Sequence, residues 1–216
     1  MASMERGFRD RTAAGEALAR ELLPYASHRD VLALGLLRGG VPVAFAVAKA
    51  LHAPLDIMLV RKLAVPGQQE LALGAIASGG SRVLNEGLVK ELGIPEHVIE
   101  AITEREWQEL DRRERFYRED RPGWPVQGRV VIVVDDGLAT GATMRVALIA
   151  LRTQQPARII VAAPVAPLSV CQSLQTIADE VICLLTPEPF VGVGRWYDDF
   201  TPVSDEKVRQ LLKRAA

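Results

Sequence analysis

The chain has 216 residues, of which 49% are hydrophobic and 25% charged, and its formal net charge at pH 7 is −1. This composition predicts a single globular domain, residues 1–216, with a substantial core. The near-neutral net charge gives no electrostatic reason to expect nucleic-acid binding. No apolar run reaches the roughly 18 residues of a membrane span. We therefore expect a cytoplasmic protein without nucleic-acid or membrane partners.

Helical and strand patterns alternate along most of the chain. Apolar residues at helical spacing predict helices at residues 12–23, 41–51, 144–151 and 168–177. Apolar runs predict strands at residues 31–36, 55–60, 131–134, 159–163 and 181–185. Residues 71–77 and 82–85 are the arms of a predicted β-hairpin around Ser78-Gly79-Gly80-Ser81. This alternation predicts an α/β fold with a doubly wound parallel sheet.

A charged segment at about residues 86–128 interrupts the alternation. Within it, residues 95–121 form a predicted long helix that includes Arg112, Arg113, Glu114 and Arg115. We expect a helical insertion beside or above the sheet, which we call the hood. A solvated helical face is one interpretation of its charges and a lid over a ligand is the other.

The cysteines and histidines show no metal-binding pattern. Cys171 and Cys183 lie outside any Cys-x-x-Cys arrangement, so we expect two small buried side chains in a reducing compartment. His28, His52 and His97 are scattered and lack the spacing of metal ligands.

The most informative segment is residues 130–143. Four β-branched residues form a predicted buried strand, Asp135 and Asp136 follow at its end, and a loop of small residues then enters a helix. Such a loop leaves backbone N–H groups free to surround a phosphate, and the helix dipole favours its negative charge. Because carboxylates repel phosphate, Asp135 and Asp136 are better suited to hold sugar hydroxyls, or Mg²⁺ through water.

This segment resembles the phosphoribosyl-pyrophosphate (PRPP) signature of type I phosphoribosyltransferases, in which an apolar strand, two acids and a Thr-Gly-x-Thr loop follow one another. The resemblance implies that Asp135 and Asp136 face the ribose hydroxyls and hold Mg²⁺ indirectly. It assigns the 5′-phosphate to a loop formed by Ala139, Thr140, Gly141, Ala142 and Thr143. The alternative interpretation of residues 130–143 is a strand that ends in two acids and a turn without a ligand. A Walker P-loop is excluded because no Lys follows Gly141.

A second strand-to-helix junction contains Arg38, Gly39 and Gly40. The Arg38 guanidinium can pair with phosphate oxygens, and the two glycines allow backbone N–H groups to approach closely. The junction resembles the pyrophosphate loop of the same family. The resemblance implies a non-proline cis peptide bond before or within this loop.

Arg61 and Lys62 follow the strand predicted at residues 55–60. They resemble the Arg-Lys-x-x-x-x-Pro-Gly segment of adenine phosphoribosyltransferases, which implies contact with pyrophosphate oxygens. The alternative interpretation is that Arg61 and Lys62 are ordinary solvated surface charges. Residues 67–69 are a predicted mobile loop, and Glu70 is a weak candidate for proton exchange with a base.

The base pocket is the least determined part of the site. Phe190 and Val191 lie in a segment similar to the Pro-x-x-Phe-Val-x-Gly stretch of 6-oxopurine phosphoribosyltransferases, which implies that Phe190 stacks on the base and Val191 reads its edge. An aromatic cluster closing the sheet edge is the alternative. The chain departs from that pattern, because Ala139 stands where those enzymes carry a third acid, and the strand at residues 159–163 has no Lys.

The resemblance implies Mg²⁺-dependent transfer of a 5-phosphoribosyl group from PRPP to a small nitrogenous base, a purine or a related heterocycle, as in nucleotide salvage. Asp135, Asp136, Arg38 and Lys62 are the expected catalytic residues, acting by positioning and charge neutralisation. A homodimer is expected because dimers are common among the resembling proteins. The alternatives are a regulatory protein that binds PRPP without using it and an assembly protein with an inherited site.

Overall fold

The computed structural model describes residues 7–119 and 121–215, and only the backbone of residues 69 and 70. The strands are β1 Val31–Leu36, β2 Leu55–Met58, β3 Val60–Val65, β4 Gln68–Ala77, β5 Ser81–Leu84, β6 Val130–Val134, β7 Arg158–Val165 and β8 Glu180–Leu185. The α-helices are α1 Arg11–Leu22, α2 Gly40–Leu51, α3 Glu86–Leu92, α4 Glu96–Arg118, α5 Ala142–Thr153, α6 Leu168–Leu174 and α7 Asp205–Arg214. Short 3₁₀ helices occupy Leu23–Tyr25 and Val193–Trp196.

The main sheet has five parallel strands in the order β2-β1-β6-β7-β8. β1 and β6 are neighbours, with Gly35 opposite Val134. Because parallel strands end at the same edge, the segments after Leu36 and Val134 leave the sheet side by side. The predicted α/β class with a doubly wound parallel sheet is confirmed.

Both faces of this sheet are covered, which explains why its strands are continuous apolar runs. Val131 and Val133 face one core cluster, which includes buried residues of α5 and α6. Ile132 and Val134 face the other, which includes buried residues of α1, α2 and α7. The two-residue period of a strand therefore divides one β-branched run between two cores.

A second, antiparallel sheet has the order β3-β4-β5. The single strand predicted at residues 55–60 is wrong, because Leu59 separates β2 from β3. The Leu59 backbone N–H donates to Ser78 Oγ at 2.9 Å, and its carbonyl accepts from the Ser78 N–H at 2.9 Å. These bonds direct the chain away from β1 and into the second sheet. The loop predicted at residues 67–69 is also wrong, since a turn at Pro66 and Gly67 leads directly into β4.

The charged segment forms two helices, α3 and α4, of which the second matches the long helix predicted at residues 95–121. The organisation of residues 1–216 as one domain with an insertion at about 86–128 stays a prediction. α7 is an additional helix that its sequence pattern had not predicted, and its buried residues are Val208, Leu211 and Leu212. Ser204 caps this helix by accepting a hydrogen bond from the Lys207 N–H.

The expectation of two separate thiols is wrong. Cys171 on α6 and Cys183 on β8 are joined in a disulfide that spans 12 residues of sequence. The two positions meet because α6 packs against the edge strand β8, a contact that the cysteine spacing does not reveal. In the part of the chain that the structure describes, no helix is both long and apolar enough to cross a membrane.

Candidate functional site

The two predicted loops meet at the carboxyl ends of β1 and β6. The approach is so close that a Cβ atom on Gly39 would lie 2.0 Å from Asp136 Oδ2. A Cβ atom on Gly40 would lie 2.5 Å from the Val134 carbonyl oxygen. Only glycine fits at these two positions, so the glycines of one loop are matched to the acids of the other.

Asp136 is held by residues from both ends of the chain. Its Oδ2 atom accepts a hydrogen bond from Arg11 Nε at 2.7 Å, and both side chains are nearly buried, with exposures of 11% for Arg11 and 12% for Asp136. Its backbone carbonyl accepts from the Tyr197 hydroxyl at 2.5 Å. Sequence reasoning missed Arg11, because the partners are 125 residues apart and no local pattern links them.

The two acids have different electrostatic surroundings. Burial raises the pKa of Asp135 well above its ordinary value, and the neighbouring charge of Asp136 raises it further. Burial also raises the pKa of Asp136, but there the Arg11 guanidinium opposes the shift. Asp135 Oδ1 accepts from the Asp136 backbone N–H at 2.9 Å. The pair therefore contains one carboxylate with a cationic partner and one without that direct contact.

The loop after the acids connects β6 to α5. The Leu138 N–H donates to the Val165 carbonyl at 2.9 Å, which anchors the loop to β7. Gly141 is the N-cap of α5 and has a φ of 71°, and a Cβ atom there would lie 2.7 Å from Val170 Cγ1. The loop residues around Gly141 are all exposed, namely Ala139, Thr140, Ala142 and Thr143. A loop at the start of a 12-residue helix suits a phosphate.

Arg38 begins the neighbouring loop. The Leu37–Arg38 peptide bond is cis, as the resemblance implied. Arg38 Nη1 lies 3.3 Å from Asp205 Oδ1, and each of these side chains is 49% exposed. The Tyr117 hydroxyl donates to the same carboxylate oxygen at 2.7 Å. Burial and the hydrogen bond to Asp205 raise the pKa of Tyr117 to about 12. Arg38 is thus accessible to a ligand, although it contacts an acid of α7.

Arg61 and Lys62 lie on β3 of the antiparallel sheet. Arg61 Nε donates to Glu106 Oε2 on α4 at 2.8 Å, and these side chains are only 25% and 12% exposed. Lys62 is exposed. The structure therefore attaches Arg61 to the hood and leaves Lys62 facing solvent.

The predicted base-binding segment packs beside the acids. Phe190 is partly buried against a small cluster that includes Val165 and Tyr197, whereas Val191 is 78% exposed. A Cβ atom on Gly137 would lie 2.4 Å from Val193 Cγ1, so the segment rests directly on the residue that follows Asp136. The side chain of Glu70 lies outside the described part of the chain.

The comparison with known families agrees with this geometry. The phosphoribosyl transferase domain family matches residues 10–193, a range that contains both loops and both acids. The chain belongs to the phosphoribosyl transferase domain family.

Relatives of this phosphoribosyltransferase domain cover nearly its whole length. Two Mycobacterium tuberculosis proteins, named "Putative phosphoribosyl transferase" Rv0571c and MT0597, are each 44% identical to it over 208 residues, or 96% of this chain. The chain spans 47% of the length of these curated relatives. The crystal structure of TT1426 from Thermus thermophilus has 41% identity and a TM-score of 0.84, covering 98% of this chain and 100% of that one.

The phosphoribosyltransferase domain offers few protein ligands for a metal. Among the described residues, no group of three or more His, Cys, Asp or Glu side chains is placed to hold an ion. Mg²⁺ usually binds through one or two carboxylates together with substrate oxygens and water. Asp135, which has no direct cationic partner in the described structure, fits that mode better than Asp136, whose Oδ2 atom is bound to Arg11.

Proposed function

We propose that this phosphoribosyltransferase moves a 5-phosphoribosyl group from PRPP to a small nitrogenous base and releases pyrophosphate. A purine or related heterocycle is the proposed acceptor, and the reaction is assigned to cytoplasmic nucleotide salvage. The observation that carries the proposal is the close approach of Gly39 to Asp136. It places the loop of Arg38, Gly39 and Gly40 beside the two acids, which lead into the loop at residues 139–143.

The phosphoester end of PRPP would bind to the loop formed by residues 139–143. This loop lies at the start of α5, where N–H groups and the helix dipole favour a dianion. The pyrophosphate end would bind to Gly39, Gly40 and Arg38. Arg38 is half exposed and therefore able to exchange its contact with Asp205 for a phosphate oxygen. Lys62 is a further candidate for the pyrophosphate because its side chain is exposed.

Asp135 would orient the ribose hydroxyls and contact Mg²⁺ through them or through water. When bound, the ion would neutralise charge on the departing pyrophosphate. Such transfer needs no protein nucleophile, because a loose, oxocarbenium-like centre is stabilised by positioning and charge. Phe190 and Val191 are the proposed contacts of the base, and a homodimer is the proposed assembly.

The decisive experiment measures pyrophosphate release from PRPP and MgCl₂ over a panel of purines, pyrimidines and other amines. The unaltered protein should release pyrophosphate with at least one acceptor. Asp135→Asn should slow this release roughly a hundredfold, because it removes the carboxyl group proposed to orient the ribose. Asp111→Asn, on the exposed face of α4, should leave the rate unchanged.

Two results would contradict this proposal in different ways. Failure to bind PRPP in calorimetry would remove the proposed site altogether. PRPP binding without pyrophosphate release, for every acceptor, would instead support a regulatory protein that binds PRPP without consuming it.

A further inference from the structure

Arg11 lies beside the proposed pyrophosphate loop, yet the function described so far gives it no role. Its Nε atom donates to Asp136 Oδ2 at 2.7 Å, and its Nη1 atom donates to the Thr201 carbonyl at 2.8 Å. Its guanidinium lies 4.0 Å from the centre of the Phe200 ring. Three neighbours therefore fix a side chain that is only 11% exposed.

The start of α1 fixes the backbone of Arg11. Asp10 is the N-cap of this helix, and its Oδ1 atom accepts a hydrogen bond from the Ala13 N–H at 2.8 Å. The cap places Arg11 at the first helical position, from which its side chain reaches the end of β6. Capping and the contacts at Thr201 and Phe200 orient the guanidinium before any ligand binds.

The position of Asp136 explains why a cation is required there. Its Oδ2 atom is so close to Gly39 that a Cβ atom on that glycine would be 2.0 Å away. A carboxylate at this distance from a loop that receives pyrophosphate would repel the ligand. In a nearly buried position, little water is available to screen that repulsion.

We propose that Arg11 is a positioning residue that neutralises Asp136 and holds its carboxylate against Gly39, so that the loop of Arg38, Gly39 and Gly40 can accept pyrophosphate. The inference rests on the proposed function and divides the work of the two acids. Asp135 serves the ribose, and Asp136 together with Arg11 supports the pyrophosphate loop. Arg11 acts through Asp136 and needs no contact with the substrate.

A purely structural role for Arg11 makes a different prediction. An arginine that only joins the two ends of the chain would affect stability and would weaken every ligand to the same extent. Neutralisation of Asp136 affects pyrophosphate selectively, because ribose 5-phosphate binds through residues 139–143 and Asp135. It also predicts that removing the Asp136 charge compensates for the loss of Arg11.

The test compares Arg11→Met, Arg11→Met/Asp136→Asn and the control Arg20→Met, which changes an exposed arginine of the same helix. Calorimetry would measure binding of PRPP, of pyrophosphate and of ribose 5-phosphate, each with MgCl₂. Arg11→Met should bind pyrophosphate about tenfold more weakly, the scale of one lost charged hydrogen bond. Its affinity for ribose 5-phosphate should fall less than its affinity for pyrophosphate, because that ligand is proposed to bind through residues 139–143 and Asp135. The double variant should recover most of the pyrophosphate affinity.

Equal weakening of both ligands, or no recovery in the double variant, would overturn this inference while leaving the proposed function intact. If the unaltered protein binds no PRPP, the proposed function and this inference fail together. Thermal unfolding would show whether each variant folds. If Arg11→Met does not fold, Asp136→Asn distinguishes the two roles. Neutralisation predicts that this variant binds pyrophosphate at least as tightly as the unaltered protein, whereas a structural role predicts weaker binding.

Discussion

Asp135 and Asp136 are adjacent in the chain but are not equivalent. Arg11 pairs with Asp136, whereas Asp135 accepts a backbone N–H from its neighbour. Burial raises the pKa of both groups, and in the case of Asp136 a direct cation opposes the rise. Two identical side chains can therefore hold different protonation equilibria and perform different tasks at one strand end.

The close approach of Gly39 to Asp136 predicts that one added methyl group, in Gly39→Ala, disturbs both stability and ligand binding. Gly39→Ala would place a Cβ atom 2.0 Å from Asp136 Oδ2, and the carboxylate cannot move freely because Arg11 holds it. We expect a loss of about 1–3 kcal/mol in the free energy of unfolding, typical of overpacking, and PRPP binding weakened about tenfold or more. Urea denaturation and calorimetry would measure the two effects.

Gly87→Ala is the matched control for Gly39→Ala. Gly87 lies in α3, where the nearest atom to an added Cβ would be Asn85 Oδ1 at 3.6 Å. We expect stability to be retained or raised by up to about 1 kcal/mol, because alanine is the better helix former. Equal effects of the two substitutions would show that the loop relaxes around the methyl group.

At this scale, the sequence predicts what is local and misses what is distant. Arg38, Gly39 and the Asp135–Asp136 pair stand in short motifs, so the sequence places each motif at the end of a strand, and the neighbouring positions of β1 and β6 bring the motifs together. The partners Arg11 and Asp205 come from helices at opposite ends of the chain, and no motif connects them with the acid pair or with Arg38. Arg61 has an equally distant partner, because Glu106 of α4 accepts its hydrogen bond from 45 residues further along the chain. Its expected contact with pyrophosphate stays a prediction.

At the scale of elements, β2 and α4 are joined by a buried charge pair. Asp56 is 5% exposed, and its oxygens accept from Arg118 Nε at 2.9 Å and from the Trp124 N–H at 3.0 Å. Arg118 is the last residue of α4, and its side chain is 13% exposed. This pair attaches the end of the hood to the edge strand of the main sheet.

Removing one partner of this pair should destabilise the protein strongly. Arg118→Met would leave the Asp56 carboxylate buried and unpaired, at a cost of about 3–5 kcal/mol in the free energy of unfolding. Arg112→Met is the control, since Arg112 pairs with Glu109 at a side-chain exposure of 67% and should change stability by less than about 1 kcal/mol. Urea denaturation of both variants would test this difference. If Arg118→Met lost no more stability than Arg112→Met, water would have to reach the Asp56 carboxylate once Arg118 is removed.

The elements that were predicted correctly have strong periodic patterns, and the errors have specific causes. The runs at residues 31–36 and 131–134 are continuous and apolar, so their strands were placed within one residue of β1 and β6. β3 was missed because its pairing with β4 arises only once Leu59 turns the chain towards Ser78. α7 was missed although Ser204 and the two acids after it, Asp205 and Glu206, form an N-terminal helix signal.

At the scale of the whole molecule, the two ends of the chain complete the site that the central strands begin. Arg11 near the amino terminus, and Tyr197 and Asp205 near the carboxyl terminus, contact Asp136 or Arg38. The parallel sheet supplies the strand ends, and the terminal segments then set the charge around them. A change in either terminal segment is therefore transmitted to the acids and to the glycine loop by direct contacts.

Burial of all three tyrosines gives a prediction for alkaline pH. Burial, followed by a hydrogen bond to a carboxylate, raises the pKa of Tyr25 and of Tyr117 to about 12, from the model-compound value of 10.0, and burial also raises the pKa of Tyr197. A pKa that is higher in the folded state favours the protonated phenol there, so the stability it contributes is complete below about pH 10 and is lost as the pH rises towards about 12. The free energy of unfolding, measured by urea titration at each pH, should fall steadily across this window. Tyr117→Phe should reduce the slope because it removes one of the titrating groups, and an unchanged slope would show that Tyr117 ionises equally in the folded and unfolded chains.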